Sequence, residues 1–296
     1  MWRTLVSSFG LAALATLSPT AQGTDPARYY IPFAYATIER PSGSGTPFSY
    51  TRWQTVIEAF NVTGAPASVA TVAIYGNGAR LGEGPGCHHG LSLAAGTGAL
   101  LIPCVEKYPE PGVAMLVVDT SPGATLRADI QKARFVCECA GTGCVSVPQG
   151  QATLPVFSDL FANDATSVIG PVELGNFDLP ATCASPNQVY RRRVNLTLYN
   201  GGDLPSRFRV RVIPNQLTAT PLSSFEVSVG PREILQANSI PVPTSSSPEL
   251  RAVNDGSRVW ILVSAERPFL SYATAIFDDP EPGALPFQVY PGAIAD

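Results

Sequence analysis

Charge is scarce in this chain: Asp, Glu, Lys and Arg make up 14% of its 296 residues, and the formal net charge is −4. Nucleic-acid binders rely on a strong positive field against phosphate, so a mildly acidic chain is not expected to bind nucleic acid. Histidine is scarcer still. The two, His88 and His89, are adjacent, which confines any imidazole chemistry to one loop. No stretch keeps an apolar 3.6-residue period for three turns, so a helical architecture is excluded. The G-x-S-x-G elbow, H-E-x-x-H, Ser-x-x-Lys and a phosphate-cradling glycine loop are all missing, which removes the local signatures of the common nucleophilic, zinc-dependent and phosphoryl-transfer enzymes. Long apolar runs are missing as well. Beyond the first residues the longest, such as Ala114 to Val118 and Val259 to Val263, are strand-sized, so no transmembrane segment is expected after the leader is removed.

The leader itself is an expectation from the opening residues. Arg3 precedes an apolar run from Leu5 to Leu17 and a small-residue stretch ending Ala21-Gln22-Gly23, the three-part layout of a secretory signal peptide over residues 1–23. The run falls short of the roughly 20 residues that span a bilayer. A secreted or periplasmic location follows as the expectation. In an oxidising compartment, the six cysteines at 87, 104, 137, 139, 144 and 183 read as three disulfides rather than metal ligands. Leu91 to Ala95 and Ala99 to Pro103 read as a hairpin around Gly96-Thr97-Gly98, which would bring Cys87 near Cys104. One of Cys137, Cys139 and Cys144 is expected to reach Cys183.

What the chain has in abundance is turn residues, 26 glycines and 28 prolines. They bound strand-type runs of four to eight residues, the pattern of an all-β protein. The runs repeat. Arg52-Trp53-Gln54-Thr55 through Asn61, followed by Ser68 to Ile74, aligns with Arg191 through Asn200, followed by Arg207 to Ile213. Ile31-Pro32-Phe33 aligns with Leu154-Pro155-Val156 upstream, and Leu91 to Gly96 aligns with Phe225 to Gly230 downstream. Val113 to Val118 with Ala124 to Ile130 parallels Val259 to Val263 with Leu270 to Ile276. Six or seven strands in about 130 residues suit an antiparallel sandwich, so two tandem domains are expected, 24–148 and 149–296.

The R-W-x-T-x-L-x-L-x-N pattern carried by Arg52 through Asn61, and with Arg192 in place of Trp by Arg191 through Asn200, resembles the immunoglobulin-like repeat domains of exported bacterial proteins. That resemblance implies two tandem immunoglobulin-like β-sandwiches in adhesive, scaffolding or carbohydrate-facing roles. It brings no catalytic residues with it.

Candidate sites each have a plainer structural reading. If Arg191 to Asn200 and Arg207 to Ile213 form one hairpin, alternation turns Val194, Leu196, Leu198, Phe208, Val210 and Val212 inward. It then gathers Arg191, Arg193, Arg207, Arg209 and Arg211 on the other face. Such a ribbon suits carboxylates, sulfates or phosphates; the alternative is a solvated face neutralised by Glu226, Glu233 or Glu266. His88 and His89 beside Cys87 are weak metal candidates, since adjacent residues seldom aim at one ion. Asn254-Asp255 and Asp278-Asp279 read as turns, with calcium as the alternative at the second. The tyrosines, phenylalanines and Trp53 between residues 29 and 53 read as core, with Trp53 the best candidate for an exposed sugar platform. No cofactor is expected. The reading is therefore an exported, non-catalytic binding or adhesion module facing a polysaccharide or another extracellular protein. The alternatives are an assembly subunit and a glycoside hydrolase-like enzyme using a carboxylate pair.

Overall fold

A computed structural model describes residues 27–35, 37–39, 48–76, 82, 86–103, 112–137, 144–173, 175–178, 189–214, 221–237, 258–277 and 287–294. Within them the chain is built of strands alone, paired antiparallel throughout. The first nine are β1 (Ala27–Tyr35), β2 (Thr37–Glu39), β3 (Phe48–Asn61), β4 (Ala67–Tyr75), β5 (Gly90–Leu93), β6 (Gly98–Leu101), β7 (Gly112–Thr120), β8 (Ala124–Cys137) and β9 (Cys144–Leu154). The next nine are β10 (Thr166–Glu173), β11 (Gly175–Asp178), β12 (Val189–Asn200), β13 (Ser206–Pro214), β14 (Ser223–Val229), β15 (Ile234–Ala237), β16 (Arg258–Ala265), β17 (Phe269–Phe277) and β18 (Phe287–Ile294).

The two sets match strand for strand. In each, the third strand pairs with the second, sixth and eighth, and the fourth with the fifth and seventh. The first strand pairs with the seventh and the eighth with the ninth. Strict alternation explains how the sheets face each other. On β13, Phe208, Val210 and Val212 are buried while Arg207, Arg209 and Arg211 point out, because successive side chains of a strand leave opposite faces. The first set folds its two sheets around one apolar core, including Ile31 of β1, Ile57 of β3, Val69 of β4, Leu116 of β7 and Leu126 of β8. The second set does the same with Ile169, Leu196, Phe208, Ile261 and Ala273.

Three sequence expectations are corrected here. First, β3 and β4, and likewise β12 and β13, read as hairpins, do not pair with each other; each short connection crosses to a strand on the other side of the core. The same holds for β5 and β6. Second, β18 pairs with both β17 and β10, so the second set closes into a nearly continuous barrel-like sheet rather than two open sheets. In the first set the corresponding closure is the bridge between Tyr30 and Phe157 just past β9, whose backbone bonds measure 2.8 and 3.0 Å. Third, the first strand of the second set is β10 and not Leu154-Pro155-Val156; residues 148 and 149 lie within β9. The strand in β10's position occupies the place of β1, Ile169 facing Ile261 as Ile31 faces Leu116. Leu154-Pro155-Val156 shares composition with Ile31-Pro32-Phe33, not pairing.

The sets touch through a seam. The outer face of β12, β15 and β17, with Tyr199, Ile234 and Leu270, lies against Met115 of β7 with Tyr30, Tyr75 and Val113 around it. Approach is close at Gly76, where an added Cβ would stand 2.3 Å from the Ile234 Cγ2. A second contact joins Trp53 to Ile276.

Candidate functional site

The five-arginine ribbon is not formed, because β12 and β13 are not neighbours: β12 pairs with β11, β15 and β17, and β13 with β14 and β16. Arg193 stands opposite Ile276 of β17, whereas Arg209 lies between Ser264 of β16 and Glu226 of β14. Arg191 and Arg193 are on β12, and their side chains fall outside the described residues. Arg207, Arg209 and Arg211 remain as a strip on the outer face of β13. Two of them meet one carboxylate: Arg209 Nε donates to Glu226 Oε1 at 2.9 Å, and Arg207 Nη1 stands 3.7 Å from Glu226 Oε2. All three side chains of that group are about half exposed or more, where an ion pair contributes at most about 1 kcal/mol. Glu233 instead accepts the Gly230 backbone N–H. Arg211 has no ion-pair partner among the described residues.

His88 and His89 serve the backbone of their loop. The His88 N–H donates to the Ile102 carbonyl at 2.9 Å, its Nδ1 lies 3.2 Å from the Leu100 carbonyl, and the His89 carbonyl accepts the Thr71 N–H at 2.7 Å. Among the described residues no three His, Cys, Asp or Glu side chains stand together as metal ligands. Cys87 is disulfide-bonded; the side chains of Cys104, Cys137, Cys139, Cys144 and Cys183 lie outside the described residues, as do Asn254-Asp255 and Asp278-Asp279. In backbone register, Cys137 of β8 is set directly opposite Cys144 of β9.

The motif-ending asparagines have a role that the sequence pattern did not reveal. Asn61 Nδ2 donates to the carbonyls of Ala65, Leu93 and Ala94, while its Oδ1 accepts from the Thr63 N–H and hydroxyl. Asn200 repeats the arrangement with Leu204, Val229 and Gly230, its Oδ1 accepting from the Gly202 N–H. Each is a buried amide that pins the sheet-crossing turn to the end of β5 or β14. A sequence signal existed in that both motifs end in Asn, but its partners lie about thirty residues onward.

Trp53 is buried and packs on Ile276, with the Lys132 ammonium 5.1 Å from its ring centroid, so it is core, as expected from the sequence, and the alternative of an exposed sugar platform falls. The seam tyrosines pack likewise. Tyr199 sits between Tyr30 and Tyr75, with ring centroids 6.2 and 6.4 Å away. Arg232, held by Asp203 at 2.9 Å, lies 5.9 Å over Tyr75. Burial raises the Tyr199 phenol well above its ordinary range, with Arg232 opposing part of the shift. Burial pushes Tyr272, on the same face of β17, up to about 12. On the flank, Arg28 clasps Asp119 through two bonds of 2.7 and 2.8 Å and holds that carboxyl below its ordinary range.

The repeat makes one contrast unavoidable. Register equates Phe60 with Tyr199: each precedes its motif Asn and faces away from the core. Tyr199 is 1% exposed under the first set, whereas Phe60 is 42% exposed. Beside Phe60, on the outer side of β6 and just past its end, Leu100 and Ile102 are 48% and 50% exposed. An open apolar patch therefore sits on the first set where the second set has its docking face. Against family models, curated proteins and solved structures, the chain has no match.

Proposed function

We propose that this chain is an exported, non-catalytic module of two tandem immunoglobulin-like sandwiches that works by protein–protein contact through its sheet faces, as an assembly or adhesion component of the periplasm or cell exterior. The observation that carries the reading is the Phe60, Leu100 and Ile102 patch. Contiguous apolar surface on a sheet, rimmed here by Glu58 and Arg127, marks interaction sites more often than it marks idle surface. The immunoglobulin-like part rests on pairing: third with sixth strand and fourth with seventh is the B–E and C–F plan of such sandwiches. The outer strands depart from it, since β8 lies beside β3 where a first strand belongs and β1 lies beside β7 where a last one does. Export rests on the leader pattern. The disulfide framework rests on even cysteine number, with Cys87–Cys104 favoured by the His88 to Ile102 backbone bond and Cys137–Cys144 by their register.

The test is a photo-cross-linking residue at Leu100 in the protein exported by its own host. A discrete protein adduct is expected there and none from the same residue at exposed Ser228; the absence of any protein adduct at Leu100 overturns the reading.

A second reading is favoured by the outward strip of Arg207, Arg209 and Arg211: contact with an anionic polysaccharide. Replacing all three by Ser should abolish retention on a sulfated polysaccharide matrix, and unchanged retention sinks it. A carboxylate-pair hydrolase has less support, since Asp119, Asp129, Asp203 and Glu226 each already hold an arginine.

A further inference from the structure

Each strand set has two outer sheet faces, one on its third, sixth and eighth strands and the other on its first, fourth and seventh. The seam consumes one of each kind, the β12, β15 and β17 face of the second set and the β1, β4 and β7 face of the first. A third face, on β10, β13 and β16, is closed at one end. There Ile213 points outward across from Trp260 yet is buried, and Trp260 has an interaction partner of its own. The open part of that face carries Arg207, Arg209 and Arg211. The fourth face, on β3, β6 and β8, is the one that leaves several large apolar side chains exposed together: Phe60, Leu100 and Ile102, continued by Val62 just past the end of β3.

Charge decides what this face fits. Glu58 lies in one row between Leu100 of β6 and Arg127 of β8. Arg127 is drawn to Asp129, its Nη2 3.1 Å from Asp129 Oδ2, and Glu58 is left half-buried with no ion-pair partner among the described residues. The row therefore runs apolar, acidic, basic, an order that complements itself under a two-fold rotation. An axis in the plane of contact, running between β3 and β8, lays β3 of each copy over β8 of the other. Glu58 then meets the second copy's Arg127, whose side chain is 55% exposed, and Phe60 covers the second copy's Thr125, since Thr125 is the residue across from Phe60 in register. We infer that the Phe60, Leu100 and Ile102 face is the contact of a two-fold dimer of this chain, closed by two Glu58–Arg127 pairs flanked by apolar packing, which rests on the protein-contact reading above and names its partner. A guanidinium has five N–H donors, so Arg127 keeps Asp129 while its other edge takes the second carboxylate. An isologous contact uses the same patch on both copies and leaves none free, so association stops at two.

Sedimentation velocity of the full exported chain over a wide concentration series tests this. The wild type should pass from monomer to dimer and go no further, and the adduct at Leu100 described above should have twice the mass of the chain. Leu100→Glu with Ile102→Glu, at positions about half exposed, should be monomeric. Glu58→Arg and Arg127→Glu should each weaken dimerisation about tenfold or more, since each sets like charges together twice. Mixed in equal amounts, these two should regain the dimer, because the same two contacts then join opposite charges. If Arg127→Glu fails to fold once Asp129 loses its guanidinium, Glu58→Arg and the Leu100, Ile102 variant decide the matter. Folded variants that dimerise as the wild type does, a mixture that stays monomeric, or growth beyond two overturns the proposal. A monomeric wild type that gives an adduct with a different protein at Leu100 overturns self-association and leaves the protein-contact reading standing; no adduct removes both.

Discussion

At the scale of single residues, the two asparagines matter more than any charged group. Asn61 and Asn200 each donate to three carbonyls at the crossing turn, sharing Ala94 with the Thr97 N–H and hydroxyl and Gly230 with the Glu233 N–H. Asn200→Ala should cost about 2–4 kcal/mol, read as a fall in the denaturation midpoint, because it removes several buried hydrogen bonds worth about 0.5–1.5 kcal/mol each. Tyr272 sets an alkaline limit. Its phenol titrates near 12 in the folded chain against about 10 when unfolded, so the folded state holds its proton longer. That contribution, on the order of 2 kcal/mol, is fully present below pH about 10 and is lost as pH rises toward about 12. Tyr272→Phe should flatten the stability profile across that window. In the sequence these residues were visible only as a turn former and an aromatic, since burial and distant partners are properties of the fold.

At the scale of strands, alternation was readable and adjacency was not. Phe208, Val210 and Val212 turn inward and Arg207, Arg209 and Arg211 outward as the two-residue period requires. The same pattern cannot say whether the next strand is a neighbour in the sheet or lies on the facing one. The segment from Gly201 to Pro205 is long enough to span the roughly 10 Å between sheets, and it has the same Gly-, Asp- and Pro-rich composition as a hairpin turn. The expected arginine ribbon failed on this ambiguity, while the repeat, which depends only on strand order, was recovered from sequence for its third, fourth, fifth, seventh and eighth strands but not for the first or for the second, sixth and ninth. Cysteine pairing belongs to this scale as well. Peptide mapping without reduction should find Cys137 joined to Cys144 and Cys87 to Cys104, which leaves Cys139 for Cys183; a Cys137–Cys183 peptide would refute the register argument. Opposed positions on neighbouring antiparallel strands hold their Cα atoms about 4.5–5.5 Å apart, within the span a disulfide needs.

For the molecule as a whole, the two halves have one plan and unequal surfaces. The second half has its third-strand face covered and its arginine strip open; the first has Phe60, Leu100 and Ile102 open. That asymmetry was legible in the sequence only as an unequal distribution of arginine, histidine and cysteine, because exposure depends on which faces the seam consumes. The halves also differ in how they end. β18 joins β10 and β17 along several residues, whereas past β9 the corresponding closure is the bridge between Tyr30 and Phe157. A sheet closed by one bridge can part at that edge without disturbing its remaining ladders, so local opening there needs far less free energy than global unfolding. Amide protons of β1 near Tyr30 should therefore exchange with deuterated water well before those of β10 near Val168. Under gentle proteolysis the first cut should separate the β9 edge, leaving the second half intact as the slow-exchanging remnant.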